Sequence, residues 1–357
     1  MKKLLNIFGS PRNIFYMSKE EICAAKKIDK RTIAALSDKN LSQVKKVKKD
    51  CVKNGIKILT FESPYYPEML KHISAPPYVL YTRSRSRIDL NQYMCIAMVG
   101  NRKSSNYGNA VAEDIAYGVS SNGFVVVSGM AEGIDSASHK GALLSGGITV
   151  AVAGRGLDDA YPRFNRQLME EIIQTGMVIS EYPPETEPKR QNFPERNRII
   201  SGICSGTVVV EAPKRSGSLI TANYALEQNR DVFAIPGDIT REKSEGTNNL
   251  IKEGAYPVTS ARDIVEYYSY EYIEHSREKI HEEAEPKEKE TLNNDTYSDL
   301  TDEEMHIVSK LSDTPINFDM LLAKTGMAPD KLATQITMLE LKGKVKAHPG
   351  KNFTLNT

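Results

Sequence analysis

Between Tyr93 and Tyr267 the chain alternates short, unbroken apolar runs with longer stretches of helical periodicity. The runs are Cys95–Val99, Phe124–Val127, Thr149–Ala153, Met177–Ile179, Thr207–Val210 and Asp231–Ile235. They are rich in Val, Ile and Ala and lack polar alternation, so they read as strands buried on both faces. Helices are predicted between them over Tyr107–Ser121, Ile134–Leu144, Phe164–Gln174 and Leu219–Gln228. Strand and helix in strict turn predict an α/β fold, a doubly wound parallel sheet covered by helices.

The flanks differ from this centre. Residues 1–60 read as a small helical domain: Ser18-Lys19-Glu20-Glu21 has capping-box spacing, and Leu41–Lys53 is a helix stopped by Asn54-Gly55. Residues 60–87, punctuated by Pro64, Pro67, Pro76 and Pro77, read as an extended connector that packs on the next domain. The central domain is placed at 61–268 and an acidic linker at 269–299; residues 271–304 hold 13 Asp+Glu against 4 Lys+Arg. In residues 300–357, Glu303–Leu311 and Phe318–Lys324 read as short helices. A third helix starts at Pro329, with Leu332, Ile336 and Leu339 as its apolar face. A hairpin of Val345–Ala347 and Asn352–Leu355 around Pro349-Gly350 completes a winged-helix pattern.

Composition narrows the function classes. The 357 residues carry 47 Lys+Arg and 46 Asp+Glu, which excludes a wholly basic protein but not a basic patch. Residues 1–60 hold 15 Lys+Arg and 5 Asp+Glu, a local net charge of +10. No apolar run approaches the ~18 residues of a membrane span. The start Met1-Lys2-Lys3-Leu4-Leu5 is interrupted by Asn6, Pro11 and Arg12 before a signal peptide is complete. A cytoplasmic protein without membrane insertion is expected. Cys23, Cys51, Cys95 and Cys204 are spaced for neither zinc nor a disulfide framework and read as reduced thiols.

In a doubly wound sheet, ligands bind beyond the carboxyl ends of the strands. The loops there are Gly100–Ser104, Ser128–Asp135, Gly154–Asp158 and Glu211–Ser218, each rich in Gly, Ser or basic residues. Glycine lets the backbone approach an oxyanion, helix N-termini donate to it, and Arg adds charge. A phosphate-bearing ligand follows. The dinucleotide fingerprint fails, because the third glycine position after Gly154-x-Gly156 is Asp159 and Gly129-x-x-x-Gly133 has the wrong spacing; no P-loop motif occurs.

Pro188–Ile200 gathers Lys189, Arg190, Arg196 and Arg198 around Phe193. Phosphates meeting Arg or Lys while a base stacks on a ring are the elements of single-strand binding. The alternative is a packed Phe193 with structural ion pairs from Arg196 and Arg198 to Glu181, Glu195 or Glu211. Asp135 and His139, four apart on one helix, are either a base with its orienter or a helix-start hydrogen bond. No carboxylate cluster suggests a metal, and no catalytic residue or cofactor is assigned.

The ordered blocks Gly100-x-Arg102, Ser128-Gly129-x-Ala131-x-Gly133-Ile134-Asp135, Gly156-Leu157-Asp158 with Tyr161-Pro162, and Phe193-Pro194-x-Arg196-Asn197-Arg198-Ile199-Ile200-Ser201-Gly202 are joined by Ser216–Ala222 and Pro236-Gly237. Together they resemble the DprA (Smf) family of DNA-processing proteins, over about Gly55 to Thr259. Tyr66-Pro67 and Pro76-Pro77 fit its approach to the fold. The resemblance implies an extended Rossmann-like domain flanked by an N-terminal helical (SAM-like) and a C-terminal winged-helix domain. It implies single-stranded DNA binding, a homodimer through the Rossmann-like domain, and loading of the recombinase RecA in natural transformation, with no enzymatic activity. By position, Arg102 matches the DNA-contacting Arg, Arg190 the basic residue before the aromatic one, and Phe193 the base-stacking residue. Ser216, Gly217 and Ser218 match the loop that closes the phosphate pocket. Met130 and Arg155 depart from the family's usual Leu and frequent Cys.

The expected single-strand site comprises Gly100, Arg102, Ser128, Gly129, Gly133, Arg190, Phe193, Arg196, Asn197, Arg198, Lys214, Ser216, Gly217 and Ser218. The rival reading is a Rossmann-like hydrolase of nucleotide N-glycosidic bonds using Asp135 or Glu227. Against it, the glycine-rich loop of such enzymes is replaced by Pro213–Ser218. A third is a duplex-reading regulator acting through residues 300–357, whose 7 acidic and 7 basic residues give no evident basic surface.

Overall fold

The computed structural model describes Leu4 and residues 7–24, 28–269, 300–311, 316–348 and 352–355. The chain divides into two compact units, Met1–Glu278 and Lys279–Thr357. The expected acidic linker lies, but for residue 269, outside the described residues.

The larger unit is built on one nine-stranded sheet. Its strands are β1 (Lys57–Thr60), β2 (Val79–Arg83), β3 (Cys95–Val99), β4 (Val125–Ser128), β5 (Thr149–Ala153), β6 (Met177–Ser180), β7 (Gly206–Val209), β8 (Asp231–Ala234) and β9 (Tyr256–Pro257). The order is β1-β2-β6-β5-β4-β3-β7-β8-β9. β6 through β9 run parallel, while β2 joins β6 antiparallel and β1 joins β2 antiparallel. The six apolar runs are the inner strands, shifted by one residue at most at an end. They are continuous because both faces are covered: Val127, Val150, Val152 and Ile179 join one cluster, and Ile96, Met98, Val126 and Val208 the other. At roughly 25 cal/mol per Å2 of apolar surface these two layers supply most of the drive to fold.

Two readings are corrected here. The segment read as a connector supplies β2, paired in register with β6 through Tyr81 and Ser180. β1 starts at Lys57, so the sheet begins before residue 61. The helix Ser42–Lys53 packs there as well, with Cys51 and Ile56 in one cluster with Leu157, Leu168 and Ile172. Within residues 1–60 the capping box is present: Glu21 N donates to Ser18 Oγ at 3.2 Å and Ser18 N to Glu21 Oε2 at 2.7 Å.

The smaller unit is a winged helix. Helices Asp302–Val308, Phe318–Thr325 and Pro329–Leu341 pack Ile307, Leu321, Leu332, Ile336 and Leu339 into a core of their own. Val345–His348 pairs antiparallel with Asn352–Leu355, which also takes up Ile316–Asn317. The turn read at Pro349-Gly350 lies outside the described residues.

Candidate nucleic-acid interface

β3 has β4 on one side and β7 on the other, and the chain direction of winding reverses between them. The loops after β3 and β7 therefore part at their carboxyl ends and leave a crevice. A cleft of about 540 Å3 occupies this position. It is lined by Gly100, Asn101 and Arg102 after β3, by Arg215 to Ser218 after β7, and by Phe193, Pro194, Asn197 and Ile200 from one helix.

That helix, Asn192–Ile203, was not anticipated from the sequence. Pro194 fits because the first turn needs no intrahelical N–H. Ile199, Ile200 and Ile203 anchor it on the sheet. Phe193, Asn197 and Ile200, spaced four and three apart, then share the face that lines the cleft.

Phe193 is half-buried and held on three sides. Tyr161 lies beside it, ring centroids 5.4 Å apart and tilted 33°. The Arg102 guanidinium stands 5.3 Å from its centroid. Below it is Gly154, where any Cβ would sit 3.0 Å from the ring. Arg102, Arg190 and Arg215 are exposed around the cleft, and no ion pair among the described residues engages them. The helix Gly217–Glu227 begins at the cleft wall, with Ser216 as its N-cap accepting from Ser218 N at 3.3 Å. Its N-terminal dipole adds to the attraction for an anion.

The floor is built differently. Arg196 is buried, 3% exposed, and its Nη1 donates to the carbonyls of Gly129, at 2.8 Å, and Val152. Beside it Asp135 accepts from Ala131 N at 3.3 Å. Burial raises the Asp135 carboxyl above its ordinary range, with Arg196 pulling it back down. Burial likewise lowers Arg196, to about 10. Gly133, at φ 81°, enters where a Cβ would lie 2.5 Å from the carbonyls of Asn101 and Arg102, which fastens the β4 loop against the β3 loop. Met130 also has a positive φ of 56°, held by Asn165, whose Nδ2 donates to its carbonyl at 2.9 Å. Glu211 ties β7 to β3 by accepting from Ser105 N at 2.8 Å and Ser105 Oγ at 2.6 Å.

The expected residues thus separate. Gly100, Arg102, Arg190, Phe193, Arg196, Asn197, Ser216, Gly217 and Ser218 line one cleft. Ser128, Gly129, Gly133, Arg198 and Lys214 do not. Ser128 Oγ is buried and donates to Met98 O at 2.6 Å. Gly129 and Gly133 shape the loop from beneath. Arg198 holds Glu181 with both oxygens, at 2.6 and 2.7 Å. Lys214 is exposed and lies 3.9 Å from Glu245. Of the carboxylates read as partners for these arginines, Glu211 holds Ser105 instead. Arg155 turns inward to Asp158 at 3.5 Å. Sequence reasoning gave no role to Tyr161 or Arg215, although Tyr161 stood in a matched block and Arg215 in a named loop.

The paired Asp135 and His139 do not form a catalytic dyad. His139 is buried with Nδ1 2.7 Å from Thr149 Oγ1, and that hydroxyl gives its proton to Val126 O. Nδ1 therefore donates, Nε2 has no hydrogen-bond partner, and burial holds the imidazole down at about 3. Glu227 ends the eleven-residue helix that starts at the cleft, roughly 15 Å away at ~1.5 Å per residue. Among the described residues, Asp135 is the one carboxylate lining the cleft. Among the described residues no His, Cys, Asp and Glu cluster suits a metal, and no helix is long and apolar enough to cross a membrane. Cys51, Cys95 and Cys204 are buried and free.

Residues 57–269 match the family model for DNA recombination-mediator protein A, and residues 292–351 match that for the DprA winged helix domain. DNA processing protein DprA of Streptococcus pneumoniae is 44% identical over 205 residues, 57% of this chain and 72% of that protein. Protein Smf of Synechocystis is 34% identical over 315 residues, 83% of this chain and 79% of that protein. The X-ray structure of the Streptococcus pneumoniae protein aligns with TM-score 0.59 at 38% identity, covering 69% of this chain and 89% of that one. A structure of DNA processing protein A from Helicobacter pylori, described for its single-stranded DNA binding mode, aligns with TM-score 0.54 at 26% identity, covering 60% of this chain and 97% of that one. A cleft at the switch point, blocks in matching order and a winged helix later in the chain agree with these matches: the chain belongs to the DNA recombination-mediator protein A (DprA/Smf) family.

Proposed function

We propose that this chain binds single-stranded DNA across the carboxyl edge of its sheet and breaks no bond there. Phosphates lie against Arg102, Arg190, Arg215 and the helix start at Ser216–Ser218, while a base stacks on Phe193. The observation that carries this reading is the mounting of Phe193: a half-buried ring clamped by Tyr161, Arg102 and Gly154, with the exposed Arg190 and Arg215 lining the same cleft. A ring and backbone charges read no base edges, so sequence preference is weak. The further steps, protection of incoming strands, loading of RecA in natural transformation, and a homodimer through the Rossmann-like domain, rest on family membership. Fluorescence anisotropy with labelled oligothymidylate, a duplex and a mononucleotide at low ionic strength tests the reading. Tight binding of the single strand is expected; no response to it, or consumption of the mononucleotide, overturns the proposal.

A further inference from the structure

Beyond the cleft, the same edge carries a second aromatic and basic pair. Tyr107 is the second residue of the helix Asn106–Ser121 that follows the β3 loop, and its side chain is 49% exposed. Arg241, on the loop after β8, places its guanidinium 5.9 Å from the Tyr107 ring centroid, with its side chain 58% exposed. Ile239 on the same loop is 93% exposed.

The pair is fixed to the cleft by short links. Ser105, two residues before Tyr107, is bound to Glu211 through N and Oγ. On the other side, Ala212 N donates to Lys243 O at 2.8 Å and Gly246 N to Ala212 O at 2.8 Å. Asn101 and Pro213, which line the cleft, belong to the same two loops. Tyr107 and Arg241 therefore stand beside the loops after β3 and β7, outside the cleft lining.

We infer that Tyr107 and Arg241 form a second stacking platform, which takes a base of the same DNA strand after it leaves the cleft over the β3 and β7 loops. This rests on the single-strand reading above. A tyrosine ring and a planar guanidinium both offer flat faces to a base, and neither reads its identity. Asp238, 3.9 Å from Arg241, offsets its charge, so the contribution is stacking more than phosphate attraction. Length dependence follows: an oligonucleotide that fills only the cleft ignores the pair, and a longer one gains from it.

The test uses the full chain with two oligothymidylates, one just long enough to bind and one several times longer. Tyr107→Ala and Arg241→Ala lower affinity for the long strand about five-fold or more, the scale of one lost stack, and leave the short strand unchanged. Tyr107→Phe keeps the ring and binds the long strand as the parent does, which separates stacking from a folding defect. An oligonucleotide carrying 5-iododeoxyuridine, irradiated in complex with the unaltered protein, crosslinks to the peptide containing Tyr107. Equal long-strand affinity in both alanine variants, or no crosslink at Tyr107 while the strand is bound, overturns this platform alone. A parent protein that binds neither strand overturns the underlying reading instead.

Discussion

The rim and the floor of the cleft are both rich in arginine, and the two regions use it in opposite ways. At the rim, Arg102, Arg190 and Arg215 are exposed and carry no internal ion pair among the described residues. On the floor, Arg196 is buried against two carbonyls, and outside the cleft lining Arg198 on the same helix is closed onto Glu181. A cation already satisfied by the protein gains little from a phosphate, while an exposed one releases a counterion when a phosphate arrives. On the single-strand reading proposed above, the floor is architecture and the rim is the contact surface, a division that their shared residue type conceals.

The largest effect that sharpens this contrast belongs to Arg196. Arg196→Ala leaves the buried carbonyls of Gly129 and Val152 without their donor and is expected to cost about 1–3 kcal/mol of stability for each, read by chemical denaturation. A variant as stable as the parent would break the division. The next effect falls on Phe193: Phe193→Ala keeps the fold and weakens single-strand affinity by about 1–3 kcal/mol in anisotropy titrations. Third, Arg102→Ala lowers affinity for every sequence and makes the salt dependence shallower by about 0.7, the contribution of one phosphate contact on a single strand. Smallest in its effect on binding is Arg198→Ala, which costs about 1.5–3 kcal/mol of stability because its pair with Glu181 is largely shielded from water, and leaves DNA affinity and salt slope as they were.

The buried His139 gives a separate handle on the scaffold. Its imidazole sits at about 3 in the fold against an ordinary 6.5. Between those values the unfolded chain takes up a proton that the folded chain does not. Stability from this group is complete above about pH 6.5 and falls by about 1.4 kcal/mol for each unit of acidification toward pH 3. His139→Gln removes that component, so denaturation midpoints measured from pH 7 to pH 4 fall less steeply in the variant than in the parent.

The inner strands were legible because burial on both faces leaves only apolar residues, and that signal survives in a single sequence. β1 was not: Lys57, Leu59 and Thr60 are partly or fully exposed, and the prolines after it suggest a linker. The helix Asn192–Ile203 was hidden for a related reason. Its sheet-facing Ile199, Ile200 and Ile203 are outnumbered by polar residues that face the cleft or pair locally. The cleft's loops and Phe193 were readable from residue type and spacing. The pairing of Arg198 with Glu181 stood among the sequence alternatives, while the burial of Arg196 against carbonyls did not, since a buried arginine and a surface arginine look alike until distant strands are brought beside them.

The tie between Glu211 and Ser105 has a consequence for how a strand is accommodated. It joins the two loops that form opposite banks of the crevice, so the gap between them has one fixed gauge. On the proposed single-strand reading, a slot that neither widens for a purine nor narrows for a pyrimidine grips the repeating sugar-phosphate thread and lets the letters pass unread.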